Sequence, residues 1–145
     1  IFNETATDLL KAKDDNAKIY NLTHEHVVHW EIDGSVTTQK TPGPRMPHAG
    51  VITNITSKTC DGVTIGATAW AGTIYLVPSA SINTDGGTTE IFTVRPTITN
   101  TNMAQDYGAP DLTTAFAAGD VLVAATTAIG TNATFISITA RVRYT

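Results

Sequence analysis

The sequence predicts an all-β domain, a β-sandwich or barrel, preceded by a short N-terminal arm or helix. Three observations point there. Charged residues make up only 15% of the 145-residue chain, against roughly 25% in an ordinary soluble domain. Threonine occurs 27 times, so hydroxyls replace much of the missing charge, and a β-branched side chain stiff at χ1 suits a pleated, half-wet surface. From Thr23 onward, apolar runs are broken by Gly, Pro and Asp turn signals at short intervals, the text of successive strands. An apolar content of 41% is enough for a core and puts the chain outside the disordered class.

Residues 1–22 read as the arm. Asp8, Lys11, Lys13, Asp14, Asp15 and Lys18 concentrate charge there. Thr5 or Thr7 is placed to cap a short helix through Leu9-Leu10-Lys11-Ala12-Lys13, with Asp8 in its first turn. The segment has too few apolar residues to bury a stable face alone. It is therefore expected to dock on the domain or reach a neighbour, with Ile1, Phe2, Leu9 and Leu10 as its partner contacts.

The sandwich is expected over residues 23–145. Between His24 and Ile32, Val28, Trp30 and Ile32 alternate with Glu25, His29 and Glu31, and Asp33-Gly34 breaks the run. Thr41 to Met46 and Pro47 carry three prolines, which predicts a stiff, extended loop outside any regular ladder. Gly50–Ser57 reads as a strand with Ile52 alternating against Val51 and Ile55, and residues 61–72 as a connection holding Trp70. Thr73–Pro78 is a strand. Asp85-Gly86-Gly87 supplies the positive φ of a hairpin turn, and Thr88–Val94 returns from it. Thr97–Pro110 reads as a long polar loop. Phe116-Ala117-Ala118-Gly119-Asp120 turns into the strand Val121–Ala125, and Gly130-Thr131-Asn132 into a last strand from Phe135 to Tyr144. Seven or eight strands at this spacing describe a sandwich or barrel.

Several functions are argued against at this stage. A net charge of −4 with nine basic residues lacks the dense Lys/Arg footprint of a nucleic-acid binder. The lone Cys60 can form neither an internal disulfide nor a cysteine zinc cage. No apolar run approaches the ~20 residues of a helical membrane span. Ile1-Phe2-Asn3-Glu4 lacks the basic start of a secretory signal. No serine sits in a Gly-x-Ser-x-Gly elbow, and no glycine loop opens a helix to cradle phosphate.

What remains is a short set of candidates. His24, His26 and Glu31 crudely resemble part of a cupin metal motif, without its glycines; on a strand, His24 and His26 share a face. The competing reading makes them hydrogen-bonded strand residues near a sheet edge. Asp106, Asp111 and Asp120 are acids that a glycosidase would need to converge, against a simpler role in turns. Trp70, Tyr75 and Tyr107 are the aromatic candidates for a glycan platform, Trp70 foremost, although a lone loop tryptophan more often plugs the end of a sandwich.

The order of features narrows the choice. Trp30-Glu31-Ile32-Asp33-Gly34, the proline loop, Ala49-Gly50-Val51-Ile52, Thr73-Ile74-Tyr75-Leu76-Val77, Thr88–Thr93 and Arg95-Pro96-Thr97-Ile98 follow one another. Then come Phe116-Ala117-Ala118-Gly119-Asp120-Val121-Leu122, Ile129-Gly130-Thr131 and Phe135–Thr139. This series, over residues 27–145, resembles the small surface domains of tailed-bacteriophage virions: capsid decoration (cement) proteins, head fibres and tail-fibre tips. The resemblance implies an antiparallel β-sandwich of jelly-roll type. It also implies a homotrimer with no enzymatic activity and no cofactor, made in the host cytoplasm and carried on the capsid exterior.

The leading expectation is a decoration protein that binds the major capsid protein and bridges its subunits, without nucleic-acid or membrane partners. A fibre tip reading a host surface glycan through Trp70 and Tyr107 is the second. A cupin-like metal enzyme using His24, His26 and Glu31 is a remote third.

Overall fold

A computed structural model describes residues 2–4, 9–13, 19–21, 25–32, 38–59, 68–82, 88–99, 104–131, 133 and 135–145. Ile1, His24 and Cys60 therefore lie outside the described residues. The first three strands, β1 (Phe2–Glu4), β2 (Leu9–Lys13) and β3 (Ile19–Asn21), form an antiparallel sheet in the order β1-β2-β3. The helix expected over Leu9–Lys13 is thus a strand. Asn3 pairs with Leu10, and Ala12 with Tyr20. With a hydrogen-bonded neighbour on each side, strand pairing outweighs a marginal local helix signal.

The remaining strands are β4 (Glu25–Ile32), β5 (Gln39–Arg45), β6 (Gly50–Thr59), β7 (Trp70–Val77), β8 (Thr89–Glu90), β9 (Thr97–Ile98), β10 (Ala104–Gly108), β11 (Ala115–Phe116), β12 (Val121–Ala128) and β13 (Ile136–Tyr144). One sheet runs β10-β6-β13-β4, with β11 also on β6; the other runs β5-β12-β7-β8, with β9 also on β7. All described pairings are antiparallel. Taken along the chain, the two sheet paths interleave as first-eighth-third-sixth and second-seventh-fourth-fifth, the strand order of a jelly roll.

Alternation along each strand puts the core between the sheets. Val28, Trp30 and Ile32 of β4 face inward beside Ile136, Ile138, Ala140 and Val142 of β13, and meet Ile74, Leu122 and Ala124 from the opposite sheet. Ile52 and Ile55 are both buried, although an unbroken strand would send them to opposite faces. The register between β13 and β6 slips there: Arg141 pairs with Asn54 but Val142 with Ile52. Such a bulge adds one residue and restores the inward face.

Three further expectations change. The proline segment is not a loop but edge strand β5, paired only with β12; an edge position leaves one side of the strand without ladder partners, so Pro42 and Pro44 are tolerated there. Only Thr89 and Glu90 of the expected return strand Thr88–Val94 lie in the ladder. The supposed polar loop over Thr97–Pro110 contains β9 and β10.

Candidate functional site

The face of the β5-β12-β7-β8 sheet turned away from the core holds a groove. Because Leu122, Ala124 and Ile74 point into the core, their neighbours Val121, Val123, Tyr75 and Val77 point out. The register sets Val121 opposite Val77 and Val123 opposite Tyr75, which makes an apolar floor. Edge strand β5 adds the wall. Lys40 and Arg45 are five positions apart and would lie on opposite faces of a regular strand. Between the pairs Pro42↔Val123 and Arg45↔Val121 the register slips, and the extra residue brings both cations to the outer face.

The resulting hollow is open to solvent and measures about 330 Å³, with Pro42, Gly43, Ile82 and Thr88 also lining it. Lys40 Nζ lies 5.1 Å from the Tyr75 ring centroid, a cation–π contact. On the far side of that contact a second hollow of about 360 Å³ is bounded by Thr38, Lys40, Tyr75 and Thr127. Among the described residues lining the two hollows, the charged ones are Lys40 and Arg45, and no described carboxylate forms an ion pair with either.

Glu90, opposite Tyr75 in the ladder, is already engaged. Arg95 reaches it with Nε at 2.7 Å and Nη2 at 3.2 Å. This two-pronged hydrogen bond holds the Glu90 carboxyl below its usual range, and the carboxylate in turn raises the Arg95 guanidinium.

The expected site residues are dispersed. His26 and Glu31 differ by an odd number of positions on β4 and so lie on opposite faces of the sheet. His26 packs on the Tyr144 ring at 4.6 Å, while Glu31 accepts from His29 at 3.2 Å on the outer face. The proposed metal set is not assembled. Among the described residues no three His, Cys, Asp or Glu side chains are grouped to hold an ion.

Trp70 is not on a loop but opens β7, wholly buried at 0% exposure, with its indole N–H on Thr126 Oγ1 at 3.3 Å. It is a core residue, out of reach of a glycan. Tyr107 is partly buried and its hydroxyl is spent inside the protein: it donates to the Thr97 carbonyl at 2.7 Å and lies 3.0 Å from Ser57 Oγ. Burial pushes its phenol above the usual value.

The three aspartates each serve a different turn. Asp106 accepts from Gly108 N, Asp111 from Thr93 N, and buried Asp120 from Ser79 N and Ala117 N. Phe2 lies in β1, and Leu9 and Leu10 in β2.

Sequence reasoning singled out Tyr75 among the aromatics but missed Lys40 and Arg45 as its neighbours. The proline segment was the available signal, since prolines at alternate positions mark an edge strand as readily as a loop; the bulge left no mark. No protein-family model and no curated protein matches this sequence.

Proposed function

We propose that this chain is a non-enzymatic virion structural protein, a decoration domain that binds the outer surface of a phage head and bridges major-capsid subunits. One observation carries this reading: the jelly-roll strand order, an architecture that recurs in viral shells. The ordered motifs resembling phage surface domains map onto it, with Phe116 ending β11 and Ala117-Ala118-Gly119-Asp120 forming the turn into β12.

The surface chemistry agrees. Charged residues are 15% of the chain and threonines number 27, so few charges must lose water on docking. Many copies on one shell supply avidity even where each contact is weak. The fibre-tip reading loses Trp70 to the core and the Tyr107 hydroxyl to internal hydrogen bonds and keeps Tyr75, and the cupin reading loses its convergent ligands.

The test is co-sedimentation of the purified protein with undecorated phage heads and, separately, with host cells. Saturable binding to heads is expected. Saturable binding to cells alone overturns the decoration reading in favour of a receptor-binding one. Deleting residues 1–20 then asks whether the N-terminal segment contributes: loss of head binding supports a contact through that segment, and retained binding removes that role.

A further inference from the structure

We infer that the outer face of the β5-β12-β7 sheet seats an extended acidic segment of the shell protein, with apolar side chains between two carboxylates. The inference rests on the decoration reading and names the surface through which it acts. The carrying observation is that a strand bulge brings two cations, Lys40 and Arg45, to one face at the two ends of an apolar floor. The chain as a whole carries a formal charge of −4, so a hollow whose described charges are both positive stands against the general field.

Dimensions decide the class of occupant. Five residues of extended strand separate the two cations by roughly 15 Å. A single sugar or other small anion reaches one of them, whereas an extended peptide of about five residues reaches both. The hollows on either side of the Lys40–Tyr75 contact, about 330 and 360 Å³, lengthen the surface in the same direction.

The mode of attachment follows from the edge. A peptide ordinarily joins an exposed edge strand by main-chain hydrogen bonds, but Pro42 and Pro44 offer no N–H. The occupant is therefore held through side chains on the sheet face: apolar groups on Val77, Val121 and Val123, carboxylates on Lys40 and Arg45. A carboxylate that captures Lys40 draws the ammonium from the Tyr75 ring and uncovers further apolar surface.

The experiment compares head binding by the unaltered protein, by Lys40→Glu/Arg45→Glu, and by Lys58→Glu/Arg141→Glu. The last pair makes the same charge change on the outer face of the other sheet. Thermal melts confirm that each variant is folded. The groove variant is expected to bind at least about tenfold more weakly, because like charges now face each other, while the control pair and Lys40→Arg/Arg45→Lys keep binding within about threefold.

A carbodiimide, which joins an amine to a carboxylate in contact with it, should link Lys40 to an acidic peptide of the shell protein. Failure of the unaltered protein to bind heads removes the decoration reading and this inference with it. Binding that survives the groove variant, falls equally in both charge-reversed pairs, or cross-links through Lys58 and not Lys40 removes the inference alone. Release of the protein from heads by an oligosaccharide rich in uronic acid, but not by an acidic peptide, overturns the assignment to protein.

Discussion

Ser57 and Tyr107 join β6 to β10 through a hydrogen bond of 3.0 Å between their side-chain oxygens. The phenol proton already goes to the Thr97 carbonyl, so Ser57 donates and Tyr107 both accepts and donates. One hydroxyl thus satisfies two groups and ties β9, of the opposite sheet, to β6 and β10. Tyr107→Phe keeps the ring but leaves Ser57, 2% exposed, without its acceptor. The expected cost is about 1–3 kcal/mol, read as a lower urea midpoint. In the Ser57→Ala background the same change should cost less, since the orphaned donor is gone. Equal costs in both backgrounds would falsify the coupling.

Asp120 makes the turn into β12. Its two carboxylate oxygens accept from Ser79 N at 3.0 Å and Ala117 N at 2.8 Å, so a buried carboxylate joins the end of β7 to the loop before β12. Gly119 precedes it at φ 87°, a conformation glycine adopts without strain. Asp120→Ala leaves two amides unpaired and is expected to cost about 2–4 kcal/mol. Asp120→Asn, which keeps one acceptor oxygen, should cost about half as much. Chemical denaturation of the three proteins checks the order, and equal stability of Asp120→Asn and Asp120→Ala would show that the carbonyl-type acceptor contributes nothing.

Much of the sandwich was legible because its signal is local. The alternation of Val28, Trp30 and Ile32, and of Ile136 to Val142, is a period of two that only a half-buried strand produces, and both runs form the expected strands. What failed to show depends on how strands pair. The slip that buries both Ile52 and Ile55, and the one that aligns Lys40 with Arg45, are properties of strand pairs; neither is written in one strand. Leu9–Lys13 carries a fair helix signal and becomes a strand because β1 and β3 flank it. Trp70 was misplaced for a similar reason: its Gly- and Ala-rich surroundings read as a loop, yet small neighbours are what a close-packed indole requires.

That requirement is measurable at Gly72. A methyl group there would run into the Trp70 ring and come within 2.9 Å of the Ala125 carbonyl oxygen. Neither can yield easily, because the indole is wholly buried and the carbonyl belongs to the β12 ladder. Gly72→Ala is therefore expected to destabilise by about 1–3 kcal/mol through overpacking, although alanine is ordinarily the better strand residue by entropy. Substituting Gly108, which has open space around its Cα but φ 69°, should cost only about 1 kcal/mol from backbone strain. A Gly72→Ala protein as stable as the parent would show that the ring shifts freely.

Acid stability provides the last test. Asp111 accepts from Thr93 N at 2.8 Å, a backbone bond that holds its carboxyl below the usual value, and Arg95 does the same for Glu90. Both groups bind protons less readily folded than unfolded, so unfolding takes up protons and stability rises with pH through that window. Their contribution is present above the unfolded carboxylate range and is lost as pH falls through the lowered folded values. Tm should accordingly be level between about pH 6 and 7 and decline below about pH 4.5. Glu90→Gln/Asp111→Asn removes both titrations. It should lower Tm slightly at pH 7 and flatten the acid decline, so that the two melting curves converge at low pH. Parallel declines in the two proteins would assign acid sensitivity to other carboxylates.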